Sequence, residues 1–276
     1  MKQQRIIFTD LDGTLLDKET YSHTAALPAL HEIDILQIPL ILNSSKTVPE
    51  ILSLRKQLGN QHPFVVENGA AVIIPSHYFA ETSTLETLQP YDDEDTYCIR
   101  RFAQPHSSII EILLEARRHD FQFSGFFDWS VEKLAEITGL PQSGARNAKE
   151  RIGSEPILFN GDLPAFEQFL AEHDLRAVQG GRFLHVMGRF DKATGVNFLL
   201  EAYAKHYAPT ALTSIALGDS HNDEAMLNCV DTPIVIKSPH STQIHIQHPD
   251  QARYSQATGA SGWNEQLLAL LNETQD

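Results

Sequence analysis

The sequence predicts an α/β fold, a doubly wound parallel sheet with a second domain inserted into it. Short apolar, β-branched runs alternate with segments of helical periodicity, as in a parallel sheet flanked by helices. Several of these runs end in Asp, Ser or Gly, the residue types found where such strands meet a binding crevice. Residues 85–188 lack that pattern, and an inserted domain is the simplest account of the gap. We predict a Rossmann-like core of residues 1–84 and 189–276, and an inserted α+β cap domain of residues 85–188.

The first predicted strand, at residues 5–9, ends in two acids, Asp10 and Asp12. Its unbroken apolar run is typical of a strand buried on both faces. The period of two sends both carboxylates to the same side, and Gly13 then lets the backbone turn sharply. Carboxylates this close repel each other unless a cation lies between them or one is protonated. One could act as a covalent nucleophile and the other as a general acid; a solvated turn is the alternative.

The remaining core elements follow from periodicity and from capping signals. The patterns predict helices at 22–37, 48–58 and 263–271, a helix opening at Asp191, and strands at 38–42, 64–66, 71–74, 214–217 and 234–236. Ser22 is a candidate cap for the first helix. Thr47, three residues before Glu50, has the spacing of a capping box, and Asn68-Gly69 predicts a hairpin.

The inserted segment reads as an α+β domain. Its patterns predict helices at 107–118, 130–138 and 163–172, a strand at 157–159, and a hairpin of 175–178 and 183–186 around Gly180 and Gly181. Linkers are expected at 85–95 and 187–190.

The composition disfavours some classes of partner and indicates a cellular compartment. The chain has 276 residues and a formal net charge of -15, which disfavours nucleic acid and anionic membranes as partners. Cys98 and Cys229 lie far apart and in no metal-ligand spacing, which favours a reduced, cytoplasmic setting. The sequence has no apolar run of membrane-spanning length and no signal peptide pattern at its start, so we expect a cytoplasmic protein. The oligomeric state stays open.

Four stretches resemble the motifs of the haloacid dehalogenase (HAD) superfamily of Mg²⁺-dependent phosphotransferases. They are DLDGTLL at 10–16, ILNSSKT at 41–47, Asp191-Lys192, and GDSHND at 218–223, in the order in which the family has them. On these motifs the chain is identified as a member of the superfamily. The ENGA turn at 67–70 also resembles the subgroup with a large cap, often called class IIB.

The resemblance implies a role for each motif residue. Asp10 would be the nucleophile and Asp12 the general acid, while Ser44, Lys192 and Asn222 would bind the phosphoryl group. Mg²⁺ would be held by the carboxylates of Asp10 and Asp219 and the backbone carbonyl of Asp12, with Asp223 holding a metal-bound water or Lys192.

Closer likeness suggests the substrate. The SSKT stretch, the PFxxENGAA pattern and GGRFLHVMG before Asp191 are similar to the phosphatase subgroup that acts on mannosyl-3-phosphoglycerate. A phosphoglycerate adds a carboxylate, and the planar guanidinium fork of Arg suits carboxylates. Arg151 and Arg182 are therefore candidate cap residues for that carboxylate, and Gly181 a candidate contact of the sugar.

Three alternatives stay open at this point. The enzyme could hydrolyse another sugar phosphate or small phosphorylated metabolite, or it could be a phosphomutase. A non-enzymatic phospho-acceptor switch also combines acids, a hydroxyl and a lysine around Mg²⁺. Asp12 and the large insertion argue against the switch, because a signalling aspartyl-phosphate needs no acid for an alkoxide leaving group.

Overall fold

The structure, a computed structural model, describes residues 4–80, 85–88 and 96–273. Its strands are β1 (Gln4–Thr9), β2 (Leu40–Asn43), β3 (Phe64–Val66), β4 (Ala71–Pro75), β5 (Glu86–Leu88), β6 (Tyr97–Arg101), β7 (Gln122–Gly125), β8 (Ser154–Asn160), β9 (Leu175–Gln179), β10 (Leu184–Gly188), β11 (Leu212–Gly218), β12 (Thr232–Lys237) and β13 (Arg253–Thr258). Its α-helices are α1 (Leu27–Ile35), α2 (Val48–Leu58), α3 (His106–Arg118), α4 (Val131–Thr138), α5 (Gln142–Lys149), α6 (Leu163–Glu172), α7 (Lys192–Tyr207), α8 (Glu224–Leu227) and α9 (Gly259–Glu273).

The larger sheet confirms the predicted α/β core. Its strand order within the described residues is β13-β12-β11-β1-β2-β3-β4-β6-β5, parallel from β13 to β3 and antiparallel beyond β3. β1 lies between β2 and β11, so the carboxyl ends of these three strands meet at one edge of the sheet. Their exits carry Asp10, Ser44 and Asp219. In open parallel sheets this edge is where ligands bind.

Both faces of the large sheet are covered, which explains the continuous apolar strands. On β1, Ile7 packs into the core formed with α1, α2 and α9, where Trp263 is fully buried. Phe8 points to the other face and packs against α7 and α8, including Tyr203. A strand between two helical layers buries every side chain, so it shows no polar alternation. The indole N–H of Trp263 also donates to Thr9 Oγ1 at 3.0 Å, which joins α9 to the end of β1.

The smaller sheet is the predicted α+β cap. Its order is β7-β8-β10-β9, all antiparallel, and α3 and α6 cover one face through Leu113 and Phe166. The hairpin of β9 and β10 is confirmed around Gly180 and Gly181. Strand β7 and helix α5 were not predicted. α5 carries only two buried apolar residues, both Ala, so its helical periodicity is weak.

Two strands at the predicted start of the cap pair within the larger sheet. β5 and β6 pair with each other and with β4, so residues 86–88 and 97–101 extend the large sheet. The linker expected at 85–95 is therefore wrong at 86–88, where the chain is a strand; residues 89–95, like the boundary residues 81–84, lie outside the described part. We propose that the insertion begins at residue 102. There the N–H groups of Phe102 and Ala103 donate to the carbonyl of Ala70.

The two ends of the insertion lie together. Ala70, at the turn before β4, packs in one small buried cluster with Met187, near the end of the insertion, and Phe190, just after it. Phe102 and Ala103 pack against the same cluster. The chain therefore leaves and re-enters the core at one place.

The structure confirms the predicted capping box of α2 and the turn between β3 and β4, but not the predicted cap of α1. Thr47 and Glu50 form the predicted capping box on α2, which ends at the left-handed Gly59. Ser22 does not cap α1, because a 3₁₀ turn at Thr24–Ala26 precedes that helix; the Ser22 hydroxyl instead accepts from the N–H of Thr24. Asn68 and Gly69 both have positive φ in the predicted turn between β3 and β4.

Candidate active site

Four predicted residues form one buried cluster at the carboxyl edge of the sheet. Asp10 follows β1, and Asp219 and Asp223 follow β11; each offers a carboxylate oxygen within 4.8 Å of the others. Lys192, 0% exposed, opens α7 and donates through Nζ to Asp10 Oδ1 and Asp223 Oδ1, each at 2.5 Å. A lysine in the first turn opposes the helix dipole. The two carboxylates offset that cost, which explains its position.

The charges of this cluster are unbalanced, because three carboxylates face one ammonium group. Burial and the negative charge of Asp223 raise the pKa of Asp10, although Lys192 opposes them. Burial, with Asp10 and Asp223, raises the pKa of Asp219 to about 7. Burial alone would lower the pKa of Lys192, but Asp10 and Asp223 outweigh it and raise that pKa. An additional cation would stabilise the ionised form of these acids.

The cluster fits a divalent cation by a second criterion. Asp219 Oδ2 is buried and has no hydrogen-bond partner among the described residues, so its lone pairs are available to a metal. A Cβ on Gly13 would lie 2.8 Å from that oxygen, and the positive φ of Gly13 also favours glycine. Oxygen ligands of this kind suit Mg²⁺ or Ca²⁺.

Asp223 supports the site rather than pointing freely into it. Its Oδ1 accepts from Lys192, and its Oδ2 accepts from the backbone N–H groups of Asp219 and Ser220 at 3.0 and 3.1 Å. Of the two roles expected for Asp223, the geometry provides the contact with Lys192. A Cβ on Gly218 would lie 2.4 Å from the Asp223 Cβ, so only glycine fits at the end of β11.

Asp12 lies apart from the cluster and is more exposed. Its Oδ2 accepts from Lys46 Nζ at 2.7 Å, and its side chain is 37% exposed. Its Oδ1 is buried, without a hydrogen-bond partner in the part of the chain that the structure describes. Lys46 also lies over the ring of Tyr21, 5.4 Å from the ring centroid. The two acids of the first motif therefore have different surroundings, which suits the two different roles predicted for them.

The other two predicted phosphate ligands lie in the loops that border the cluster. Ser44 follows β2, is buried, and accepts from the N–H of Lys46 at 3.3 Å. Asn222 lies in the loop after β11, where its Oδ1 accepts from the Ser220 hydroxyl at 2.5 Å. Their contact with a phosphoryl group stays a prediction.

A pocket of about 300 Å³ opens beside Asp12, between the core and the cap. Its core wall includes Asp12, Tyr21, Ser45, Lys46 and Glu50, and its cap wall includes Arg151, Arg182, Phe183 and His185. The predicted cap arginines thus border the same space as the predicted general acid.

Arg151 is tied to a junction between core and cap. Its side chain is 3% exposed, and its guanidinium donates to Ser154 and to the backbone carbonyl of Ser45 at 3.0 Å. Glu67, fully buried, lies 3.6 Å from Arg151 Nε and accepts from the Ser154 hydroxyl at 2.7 Å. The N–H of Ile152 also donates to Glu67 at 2.7 Å. We call this set, Glu67, Arg151 and Ser154, the core–cap junction.

The other two predicted cap residues, Gly181 and Arg182, lie at exposed positions. Arg182 is exposed and donates to the backbone carbonyl of Ile137, and a Cβ on Gly181 would meet none of the described atoms within 4 Å. His185 was not predicted, although it lines the pocket, and its buried Nδ1 has no partner among residues 4–80, 85–88 and 96–273. Burial and Arg151 lower the pKa of His185 to about 3, so it is neutral near pH 7.

Sequence reasoning also missed Glu67, which belongs to the ENGA turn. A carboxylate directly after a buried strand was the available signal. Its partner Arg151 lies 84 residues away in sequence, within the cap.

The fold and the buried acid–lysine cluster agree with the class of hydrolase that the four motifs predicted. Residues 7–124 match the family model described as haloacid dehalogenase-like hydrolase. This match agrees with the four motifs.

Two relatives confirm the kind of enzyme. The glucosyl-3-phosphoglycerate/mannosyl-3-phosphoglycerate phosphatase of Persephonella marina is 36% identical over 271 residues, 97% of each chain. The protein of that name from Methanococcoides burtonii is 34% identical over 98% of each chain. The chain is therefore a HAD-family phosphoric monoester hydrolase, similar over its length to phosphatases of this substrate group.

Solved structures show the same fold at lower identity. Thermoplasma acidophilum 0175 superposes with a TM-score of 0.66 at 17% identity, over 98% of this chain and 99% of that one. The HAD subclass IIB sugar phosphatase BT4131 gives 0.59 at 12%, over 91% and 92%. In the described part of the chain, no helix has the length and hydropathy needed to span a membrane.

Proposed function

We propose that the protein is a Mg²⁺-dependent phosphatase that hydrolyses mannosyl-3-phosphoglycerate to mannosylglycerate and phosphate. The names of the relatives add the glucosyl compound, which the sequence patterns did not suggest, as a second substrate. The observation that carries the proposal is the division of the two acids: Asp10 lies in the buried cluster with Lys192, and Asp12 borders the pocket.

The acid cluster supports a cation, and we propose Mg²⁺. The carboxylates of Asp10 and Asp219 and the carbonyl of Asp12 would hold it, with Asp223 as support. When bound, the cation would neutralise charge on the phosphate and lower the repulsion between the phosphate and Asp10.

Asp10 acts as the nucleophile in this proposal. Its carboxylate attacks phosphorus, the bond between phosphorus and the ester oxygen breaks, and an aspartyl-phosphate forms. Lys192 and Ser44 hold the transferring group through positive charge and hydrogen bonding. Lys192 is already fixed by two acids, so little reorganisation is needed.

Asp12 then acts first as the general acid and later as the general base. It donates a proton to the departing glycerate oxygen, which otherwise leaves as a poor alkoxide. In the second step it takes a proton from the water that hydrolyses the aspartyl-phosphate, and phosphate is released. Its place at the pocket beside the cap gives it access to the leaving group.

The pocket provides room for the rest of a small phosphorylated substrate. It is lined by both acidic and basic groups and by Tyr21 and Phe183, which suits a polar sugar and an anionic glycerate. The net charge of -15 disfavours nucleic acid and anionic membrane surfaces as partners, and the cytoplasm remains the compartment we propose.

The decisive experiment measures phosphate release from mannosyl- and glucosyl-3-phosphoglycerate, with Mg²⁺, by the wild type and by Asp10→Asn. We expect repeated turnover of both substrates by the wild type and none by the variant. Turnover only of other sugar phosphates in a matched panel would refute the substrate. An isomerised ester in place of free phosphate would identify a mutase, and a single stable phosphorylation would identify a switch.

A further inference from the structure

Lys46 has the position of a substrate-binding cation on the leaving-group side of the site. It follows Ser44 by two residues, and its Nζ lies 2.7 Å from Asp12 Oδ2. Asp12, as general acid, must contact the oxygen that departs from phosphorus. Lys46 therefore lies next to the part of the substrate that distinguishes one phosphate ester from another.

We propose that Lys46 is a specificity-determining residue that binds the carboxylate of the phosphoglycerate group. This inference rests on the proposed function and names a contact for its substrate class. In a 3-phosphoglycerate, only two carbon atoms separate the ester oxygen from the carboxyl carbon. With the ester oxygen at Asp12, the carboxylate lies close to the same carboxyl side chain. Asp12 and Glu50 make that wall negative, so an anionic group needs a cation there.

The other cations near the pocket are less suited to this contact. Lys192 is fully buried and holds Asp10 and Asp223 on the nucleophile side. Arg151 is directed into the core–cap junction, where its guanidinium donates to Ser154 and Ser45. Arg182 donates to the Ile137 carbonyl in the cap. We assign Arg151 a positioning role, in place of the carboxylate contact expected from the sequence.

Lys46 can hold Asp12 and a ligand at once. An ammonium group has three N–H donors, and Asp12 accepts from one of them. The Lys46 side chain is 19% exposed and lines the pocket, so it reaches the space a ligand would fill. Its backbone is fixed, because its carbonyl accepts from the N–H of Glu67 at 3.0 Å.

The test compares two substrates that differ only in the carboxylate: a glycosyl-3-phosphoglycerate and the corresponding glycosylglycerol 3-phosphate. In Lys46→Met we expect kcat/KM for the first to fall about 10- to 100-fold more than for the second, the loss typical of one charged hydrogen bond. Because Lys46 also contacts Asp12, some loss is expected for both, and the ratio between substrates is the readout.

Two variants control the ratio. Lys46→Arg keeps the charge and should retain most of the discrimination. Lys133→Met removes one positive charge from an exposed site on α4, paired with Glu136, and should change neither substrate. If Lys46→Met lowers kcat/KM by the same factor for both substrates, so that their ratio is unchanged, the proposal is overturned.

A further measurement separates this inference from the proposed function. If the wild type releases no phosphate from either glycosyl-3-phosphoglycerate, the proposed substrate is wrong. Inhibition of p-nitrophenyl phosphate hydrolysis by 3-phosphoglycerate and by glycerol 3-phosphate then tests Lys46 alone. We expect the wild type to bind 3-phosphoglycerate more tightly and Lys46→Met to bind both alike. Equal inhibition of the wild type by the two compounds would refute the role of Lys46.

Discussion

The acid–lysine cluster and the pocket beside it are built in different ways. Asp10, Lys192 and Asp223 are buried, and each contacts another through short hydrogen bonds fixed by adjacent strands and helix starts. The pocket is shared by core and cap, and Asp12 and Arg182 on its walls are partly or largely exposed. Under the proposed function, phosphoryl transfer would depend on groups fixed by the sheet, and substrate choice would depend on the contact between cap and core.

Asp10→Asn tests the chemical side of this comparison and has the largest expected effect. We expect kcat to fall at least about 10³-fold, because an amide cannot act as the nucleophile. The melting temperature should stay level or rise, since one of three mutually repelling carboxylates is removed. Phosphate release and thermal unfolding measure the two outcomes. Asp250→Asn, at an exposed turn, is the matched control, and turnover retained in Asp10→Asn would rule out the mechanism.

Lys192→Met should affect both activity and folding. Without the ammonium group, Asp10 and Asp223 are left as buried, unpaired acids, a loss of about 3–5 kcal/mol in the free energy of unfolding. Urea unfolding without metal gives that free energy, and phosphate release gives the loss of activity. Lys133→Met removes a charge without burial and should change neither. Wild-type stability in Lys192→Met would mean that the cluster is not held by its charges.

Metal binding should raise the free energy of unfolding of the protein. Mg²⁺ at about 100 times its dissociation constant should stabilise the wild type by about 2.7 kcal/mol, by mass action on the folded state. Asp219→Asn should lose most of this gain, because the unpartnered Asp219 Oδ2 is the free ligand atom of the cluster. Thermal unfolding with EDTA and with Mg²⁺ measures it. An equal gain in both proteins would place the cation elsewhere.

The cluster could be predicted from sequence because each of its residues stands at a strand exit or a helix start. Asp10 and Asp219 follow apolar runs, and adjacent parallel strands bring their ends together without any further information. Lys192 could be recognised as a site residue because a lysine in the first turn of a helix opposes the helix dipole. The capping box of Thr47 and Glu50 is equally local.

The pocket could not be predicted in the same way, because its contacts join distant segments. The pairing of Asp12 with Lys46, and of Glu67 with Arg151, depends on packing that no local pattern encodes. The three-residue strand β5 is too short to show periodicity, so the sequence did not predict a strand there. Arg151 was selected as a cation for substrate, and its buried partners became visible only in the fold.

Glu67→Gln tests whether the core–cap junction contributes to substrate binding in the pocket. The amide keeps the shape of the side chain but loses the charge that neutralises Arg151. We expect KM for glycosyl-3-phosphoglycerate to rise about 10-fold, a loss typical of one charged hydrogen bond, while p-nitrophenyl phosphate changes little. Steady-state kinetics with both substrates is the measurement. Glu136→Gln, on exposed α4, is the control, and equal losses for both substrates would show a general effect on folding.

Arg182→Gln should have the smallest effect. Arg182 is exposed, and its guanidinium donates to a carbonyl within the cap, so we expect kcat/KM for glycosyl-3-phosphoglycerate to change less than about threefold. The same kinetics measure it. A selective loss of 10-fold or more would favour Arg182, one of the two arginines suggested by the sequence, over Lys46 as the carboxylate ligand.

The meeting of both ends of the insertion at Ala70 has a consequence for how such enzymes diversify. Phe102 and Ala103 attach to the Ala70 carbonyl, and Met187 and Phe190 close the same small cluster. A segment whose two ends touch can be exchanged whole without changing the spacing of the strands beneath it. Grafting the cap of a relative between residues 102 and 188 should therefore transfer substrate preference while leaving the nucleophile and its lysine in place.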